Sequence, residues 1–179
     1  MSNPQDKHSS QLSRVFSWLK SAALYLALFI IVFQLLDFWR ARDLPKEALP
    51  ELRYQSIDGA SLDVNAMSQE SITVLYFWAT WCGYCKVTSP AIERLAKDVN
   101  VVSIAMASGS DEDLKRYQAK RDYSFVVVND DSQAISQSWK VGVTPFIVMI
   151  KNGEVVEYTS GLSSYPGLWL RAKWADFRY

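Results

Sequence analysis

An uncharged, β-prone run, Ser71 to Phe77, leads directly into Trp78-Ala79-Thr80-Trp81-Cys82-Gly83-Tyr84-Cys85, and a helix-forming stretch, Lys86 to Val99, leads out. A strand that is apolar at consecutive positions is covered on both faces, so the fold needs a sheet with helices packed against it. The same order delivers a C-x-x-C pair to the first turn of a helix. There the unpaired N–H groups and partial positive charge of the helix end favour a thiolate at Cys82 over a thiol. Cys85, one turn on, is placed to close a disulfide with Cys82 or to resolve a mixed one. The pattern predicts thiol–disulfide chemistry carried by Cys82 and Cys85.

The rest of the composition narrows the alternatives. These are the chain's two cysteines, so no further disulfide can brace it from within. The single histidine, His8, lies in the polar N-terminal stretch, and a zinc site of about four Cys or His ligands cannot be assembled. Lys86 follows Cys85 where a c-type haem attachment needs histidine. No cofactor and no resident metal are expected. Two thiolates could instead hold Cu(I), which suits soft ligands, and that defines a second class, a metal-binding module rather than an enzyme. Met106 and Met149 fall in expected strands and read as core. Lysine plus arginine equals aspartate plus glutamate, 19 each, with no basic run, so nucleic acid is not an expected partner.

Four segments follow from the texture of the chain. Residues 1–14 are a polar tail, assigned to the cytoplasmic side. Residues 15–36, uncharged from Ser21 to Leu36, have the length of a transmembrane anchor. Lys20 lies near one end, and Trp18 and Trp39 stand where interfacial aromatics belong. A cleaved signal peptide is disfavoured by the long apolar run and the lack of a small-residue cleavage site. A buried core helix, apolar on all faces, would be unusual at an N-terminus. Cations flank both ends, Lys7, Arg14 and Lys20 against Arg40, Arg42 and Lys46, so charge does not orient the span. The use of a tethered redox domain on the oxidising side of a bacterial inner membrane places residues 37 onward in the periplasm, on a single-pass protein. Residues 37–50, with Pro45 and Pro50, form a linker, and residues 51–179 form the domain.

Within that domain Leu52 to Val64 reads as a hairpin turning at Asp58-Gly59. Pro90 is expected to kink the helix after the cysteines. Strands are expected at Val101 to Ala105 and Phe125 to Val128, and a helix at Asp111 to Arg121. A short helix, Ser132 to Trp139, is expected to be capped by Asp131 or Ser132. Phe146 to Ile150 and Val155 to Thr159 pair across Asn152-Gly153, and Ser164 to Tyr179 closes the chain as a helix with Pro166 in its first turn. Trp139, Trp169 and Trp174 are expected to pack against the sheet, with a partner-binding surface as the alternative.

Taken in order, Phe77-Trp78-Ala79-x-Trp81-Cys82-x-x-Cys85, Pro90, Thr144-Pro145 opening a strand, and Gly153 in the next hairpin resemble the thioredoxin superfamily from about Pro50 to the C-terminus. The resemblance implies an α/β fold, a thioredoxin-like three-layer α/β/α sandwich, here with an N-terminal hairpin and a single N-terminal transmembrane helix. The long interval between Cys85 and Pro145 is similar to the membrane-anchored branch typified by TlpA and ResA. Within it, the whole chain most resembles the suppressor-for-copper-sensitivity D type. By this resemblance Cys82 is the exposed nucleophile and Cys85 the buried resolving thiol. Pro145 is cis, the Thr144 backbone pairs with substrate beside the sulfurs, and Trp81 shields the motif, so Trp81, Thr144 and Pro145 are substrate-binding.

Departures from the family pattern shape the expected activity. Tyr76 stands where cytosolic thioredoxins carry a buried aspartate. Thr88 stands where reductases of cytochrome c maturation carry a glutamate. Gly83-Tyr84, with Thr before the proline, is similar to periplasmic disulfide isomerases, but the chain has no room for their dimerisation domain, and a monomer is expected. Gly-Tyr brings no cation to the Cys82 thiolate, which argues against a strong oxidant. The expectation is a periplasmic disulfide reductase acting on protein disulfides and kept in its dithiol state by a membrane electron donor. Oxidase or isomerase activity, or a Cu(I)-binding thiol module linked to copper tolerance, is the alternative.

Overall fold

The computed structural model describes Trp18, residues 20–29, 31, 32 and 35, and residues 49–179. The chain divides into two compact units, Met1–Arg42 and Asp43–Tyr179. In the first, every described residue is helical and exposed. The expected tail, most of the expected linker and parts of the expected 15–36 span lie outside the described residues. Among the described residues no helix is long and apolar enough to cross a membrane.

The second unit begins with a hairpin, β1 (Arg53–Gln55) and β2 (Ser61–Asp63), followed by α1 (Val64–Glu70). Sequence reading placed Val64 in the hairpin and missed α1. Asp63 starts this helix, its carboxylate accepting the Ala66 N–H at 2.9 Å. Then come β3 (Thr73–Trp78), α2 (Gly83–Leu95), β4 (Asn100–Met106), α3 (Asp111–Arg121), β5 (Val126–Asp130), α4 (Ala134–Ser138), β6 (Phe146–Lys151), β7 (Glu154–Ser160) and α5 (Tyr165–Arg178). The main sheet runs β5-β4-β3-β6-β7. β3, β4 and β5 are parallel, whereas β6 is antiparallel to β3 and β7 to β6. β3 is buried at every residue, as a central strand covered on both faces must be.

Alternate residues of β3 face two different layers. Val74, Tyr76 and Trp78 join Ile92 and Leu95 of α2, Leu114 of α3, and Leu168, Ala172 and Ala175 of α5 in one apolar core. Phe77 points the other way and meets Trp139, just after α4, at 6.1 Å between ring centres. The hairpin reaches this second layer through Tyr54, whose hydroxyl accepts from Trp139 Nε1 at 2.9 Å. Burial pushes the Tyr54 hydroxyl up to about 12, only partly opposed by that Trp139 N–H. Ile57 N–H also donates to the Val127 carbonyl, fastening the hairpin to the outer strand β5.

One local expectation changes. The short helix α4 is not capped by Asp131 or Ser132. Gln133 takes a positive φ of 62°, and the buried Asp130 carboxylate accepts the Ile135 and Ser136 N–H groups at 2.9 and 2.8 Å. Helix α2 is continuous through Pro90 and begins at Gly83, so the cysteine pair stands at its first turn as expected. The β6–β7 turn is as expected: Asn152 and Gly153 both have positive φ, the two-residue turn whose twist matches paired strands. Gly153 has a second constraint, since a Cβ there would come within 2.7 Å of Asn65 Oδ1.

Candidate active site

The site forms where parallel strands end. Chain leaving β3 turns at Ala79, whose carbonyl accepts the Cys82 N–H at 3.2 Å. Thr80 N–H donates to Ser108 Oγ at 3.0 Å, and Trp81 Nε1 donates to the Ala107 carbonyl at 2.9 Å. Ser108 in turn donates to Met106 O at 2.8 Å. The loop carrying the cysteines is thus bolted to the loop leaving β4, and the Ala107 N–H is held by the Asp130 carbonyl at the end of β5. Ala107 and Ser108 were not anticipated from sequence. Their signal was available, because neighbouring parallel strands bring their carboxyl-end loops together.

Cys82 is the N-cap of α2. Its sulfur accepts the Cys85 N–H at 3.1 Å, the position that a serine or aspartate oxygen fills in other helices. Cys82 and Cys85 are joined as a disulfide, their Cα atoms 5.2 Å apart. Cys82 retains 5% exposure and Cys85 1%. The resemblance implies an exposed nucleophile at Cys82; in this disulfide form Cys82 is itself buried, only slightly less than Cys85. Its sulfur lies 3.6 Å from the Thr144 carbonyl oxygen, which covers it from the facing loop. The Thr144–Pro145 peptide is cis, and Pro145 is buried at the mouth of β6. Trp81, Tyr84 and Val143 expose apolar surface beside the pair. Trp81 and Cys82 on the loop entering α2, Cys85 in the first turn of α2, and Thr144 and Pro145 on the facing loop are therefore brought together around the Cys82 sulfur.

Beneath Cys85 the packing is neutral. Ser89, one turn further along α2, shares a 3.0 Å hydrogen bond with the buried Tyr76 hydroxyl. Burial pushes Tyr76 far above the usual phenol range, more than the Ser89 contact can offset. Thr88 is fully buried, and its hydroxyl has no hydrogen-bond partner among the described residues. Among those residues no group of three or more His, Cys, Asp or Glu is placed to hold a metal ion. A cavity of about 790 Å³ lies elsewhere, lined by residues such as Arg53, Tyr54, Asp111 and Asn129, and neither cysteine reaches it.

The other end of α2 is clamped by Glu93. Its carboxylate accepts from Ser124 Oγ at 2.6 Å, Ser124 N–H at 2.7 Å and Phe125 N–H at 3.1 Å. Burial alone would raise its pKa, but the Ser124 hydroxyl and the two N–H groups hold it below the ordinary carboxylate range. An acid depressed by folding stabilises the fold above its unfolded pKa and loses that contribution as pH falls through its folded value. Glu93→Gln should therefore lower stability by about 1 kcal/mol at neutral pH. In urea titrations the gap to the wild type should narrow steadily on acidification below the ordinary glutamate range. A gap that stays constant with pH would remove the ionised clamp.

A family model described as Redoxin matches residues 44–165. A thioredoxin-like protein of Haemophilus influenzae is 40% identical over 160 residues, covering 89% of this chain and 95% of that protein. The thiol–disulfide oxidoreductase ResA of Oceanobacillus iheyensis is 26% identical over 113 residues, 60% of this chain and 58% of its own length. Among solved structures, a secreted Mycobacterium tuberculosis disulfide oxidoreductase homologous to E. coli DsbE superposes with a TM-score of 0.60 at 22% identity. The match covers 69% of this chain and 95% of that one. A thiol:disulfide interchange protein of Chlorobium tepidum gives 0.63 at 18% identity, covering 74% and 98%. These structural likenesses speak for the fold; the family match and the 40% relative carry the assignment. With a C-x-x-C disulfide at the head of the helix after the central strand, the chain belongs to the redoxin family and is a thioredoxin-like thiol–disulfide oxidoreductase.

Proposed function

We propose that this protein is a disulfide reductase tethered to a bacterial inner membrane, with residues 37 onward in the periplasm, of the suppressor-for-copper-sensitivity D type. The tether rests on the apolar run between residues 15 and 36 and the chemistry on the cysteine pair. In the dithiol form, the Cys82 thiolate attacks one sulfur of a protein disulfide. A mixed disulfide forms, and the first substrate sulfur leaves as a thiolate. Cys85 then attacks Cys82 Sγ, freeing the second substrate thiol and leaving the Cys82–Cys85 disulfide, so two electrons have passed to the substrate. A membrane dithiol donor restores the pair. Trp81 and the Thr144 and Pro145 backbone hold the incoming chain across Cys82, and the protein works as a monomer. Tethering raises the effective concentration of the domain near its donor.

One observation carries the direction of flow. The first turn of α2 offers the Cys82 sulfur the Cys85 N–H, and Gly83 and Tyr84 bring it no cation. The thiolate is favoured, yet not so strongly that the dithiol form becomes the preferred sink of electrons. Equilibrating the protein with glutathione mixtures of graded ratio reads this directly. The expected potential lies closer to about −270 mV than to the roughly −120 mV of a strong oxidant, each 30 mV being about 1.4 kcal/mol for two electrons. A value at the oxidising end would make the protein an oxidase.

A further inference from the structure

Helix α5 has two apolar sides. Leu168, Ala172 and Ala175 recur at helical spacing and face the core. Leu170, Trp174 and Phe177 recur at the same spacing on the opposite side, 63%, 61% and 86% exposed. Trp169, 38% exposed, lies between this stripe and the core-facing row. The expectation of packing against the sheet fails for Trp174 and leaves Trp169 partly covered, whereas Trp139 is fully buried as expected. The reason is periodicity: neither Trp169 nor Trp174 falls on the 168-172-175 row. An apolar stripe this continuous is more than the scattered exposure of an ordinary surface.

The charges beside the stripe are of one sign. Lys173 and Arg178 are exposed next to it. The helix's one acid, Asp176, is turned inward, its carboxylate holding Lys151 Nζ at 2.9 Å and the Ile72 N–H at 3.0 Å. Arg171 is engaged by Glu157 at 3.3 Å. Tryptophan, phenylalanine and leucine flanked by lysine and arginine are the chemistry of a helix lying in a membrane interface, with rings at headgroup depth and cations on anionic phosphates. A second copy seated on the same face would set Lys173 and Arg178 against their own counterparts, the helix's one acid being turned inward.

We propose that α5 docks this domain flat onto a bilayer rich in anionic headgroups. The inference rests on the anchored reading above, which brings the helix to a membrane. The full chain is reconstituted with vesicles of zwitterionic lipid containing a rising fraction of phosphatidylglycerol. Flotation is then measured, followed by hydroxyl-radical oxidation of individual side chains. Leu170, Trp174 and Phe177 should oxidise severalfold more slowly as phosphatidylglycerol rises, while Tyr84 and Val87 on α2 keep their rates. Lys173→Glu combined with Arg178→Glu should still float and still reduce insulin but lose that protection. Oxidation that is indifferent to lipid charge in a chain that floats overturns the docking and leaves the anchor standing. Protection that tracks protein density instead assigns the face to a second copy, and protection that survives the double charge reversal removes the lipid attraction; both overturn the proposal. A chain that fails to float in any lipid overturns docking and anchor together.

Discussion

Cys82→Ser should reduce insulin turnover, with dithiothreitol as the electron source, to the uncatalysed background. The substitution isolates chemistry from structure unusually well. Serine is a favoured N-cap, and its oxygen can accept the Cys85 N–H that the sulfur now accepts at 3.1 Å. The variant should therefore melt with the reduced wild type, which also lacks the disulfide, while losing all exchange activity. Cys85→Ser should behave differently. Its attacking sulfur remains but nothing resolves the adduct, so covalent complexes with substrate should accumulate on non-reducing gels. Residual turnover in Cys82→Ser with loss in Cys85→Ser would exchange the two roles.

The largest stability effect should come from Trp139→Ala. The side chain is fully buried, packs on Phe77 and donates to Tyr54, so it joins the hairpin, α4 and the central strand. Truncating a buried tryptophan costs about 3–5 kcal/mol. Against the roughly 5–15 kcal/mol available to a domain, that is a large share. The urea midpoint should fall accordingly with little change in slope. Trp139→Phe keeps most of the ring volume and forfeits the hydrogen bond, so its loss should be nearer 1 kcal/mol. Equal losses for the two variants would mean that the Tyr54 contact, rather than ring packing, holds this layer.

What could be read ahead of the structure follows from how locally each feature is encoded. β3, the cysteine pair, α3 and the Asn152-Gly153 turn were legible because each is specified within a few neighbouring residues: an apolar run, a spacing, Leu114 and Tyr117 three apart in a polar stretch, a dipeptide. Helix α1 was not, since Val64–Glu70 is short and polar and only Asp63 announces it. The cysteines' place at the head of α2 was legible from the strand–helix order, but that the Cys82 sulfur would itself serve as the cap was not. Asp130 escaped notice as the cap of α4 because it reaches past Asp131, Ser132 and Gln133, a path that depends on the positive φ at Gln133. In the site itself, the cysteines and Thr144-Pro145 stood out as motifs. Ala107 and Ser108 did not, because a backbone carbonyl and an ordinary serine hydroxyl carry no pattern until the sheet assembles them.

The pairing of Tyr76 with Ser89 has a consequence for how protons move. Two hydroxyls facing each other in the core can pass a hydrogen bond back and forth but cannot store a proton at ordinary pH. The interior behind the resolving sulfur is therefore a dielectric spacer rather than a buffer. In the proposed exchange, a proton shed by Cys85 therefore finds no acceptor in this pair, and the solvent-facing loops are the side from which one can be supplied.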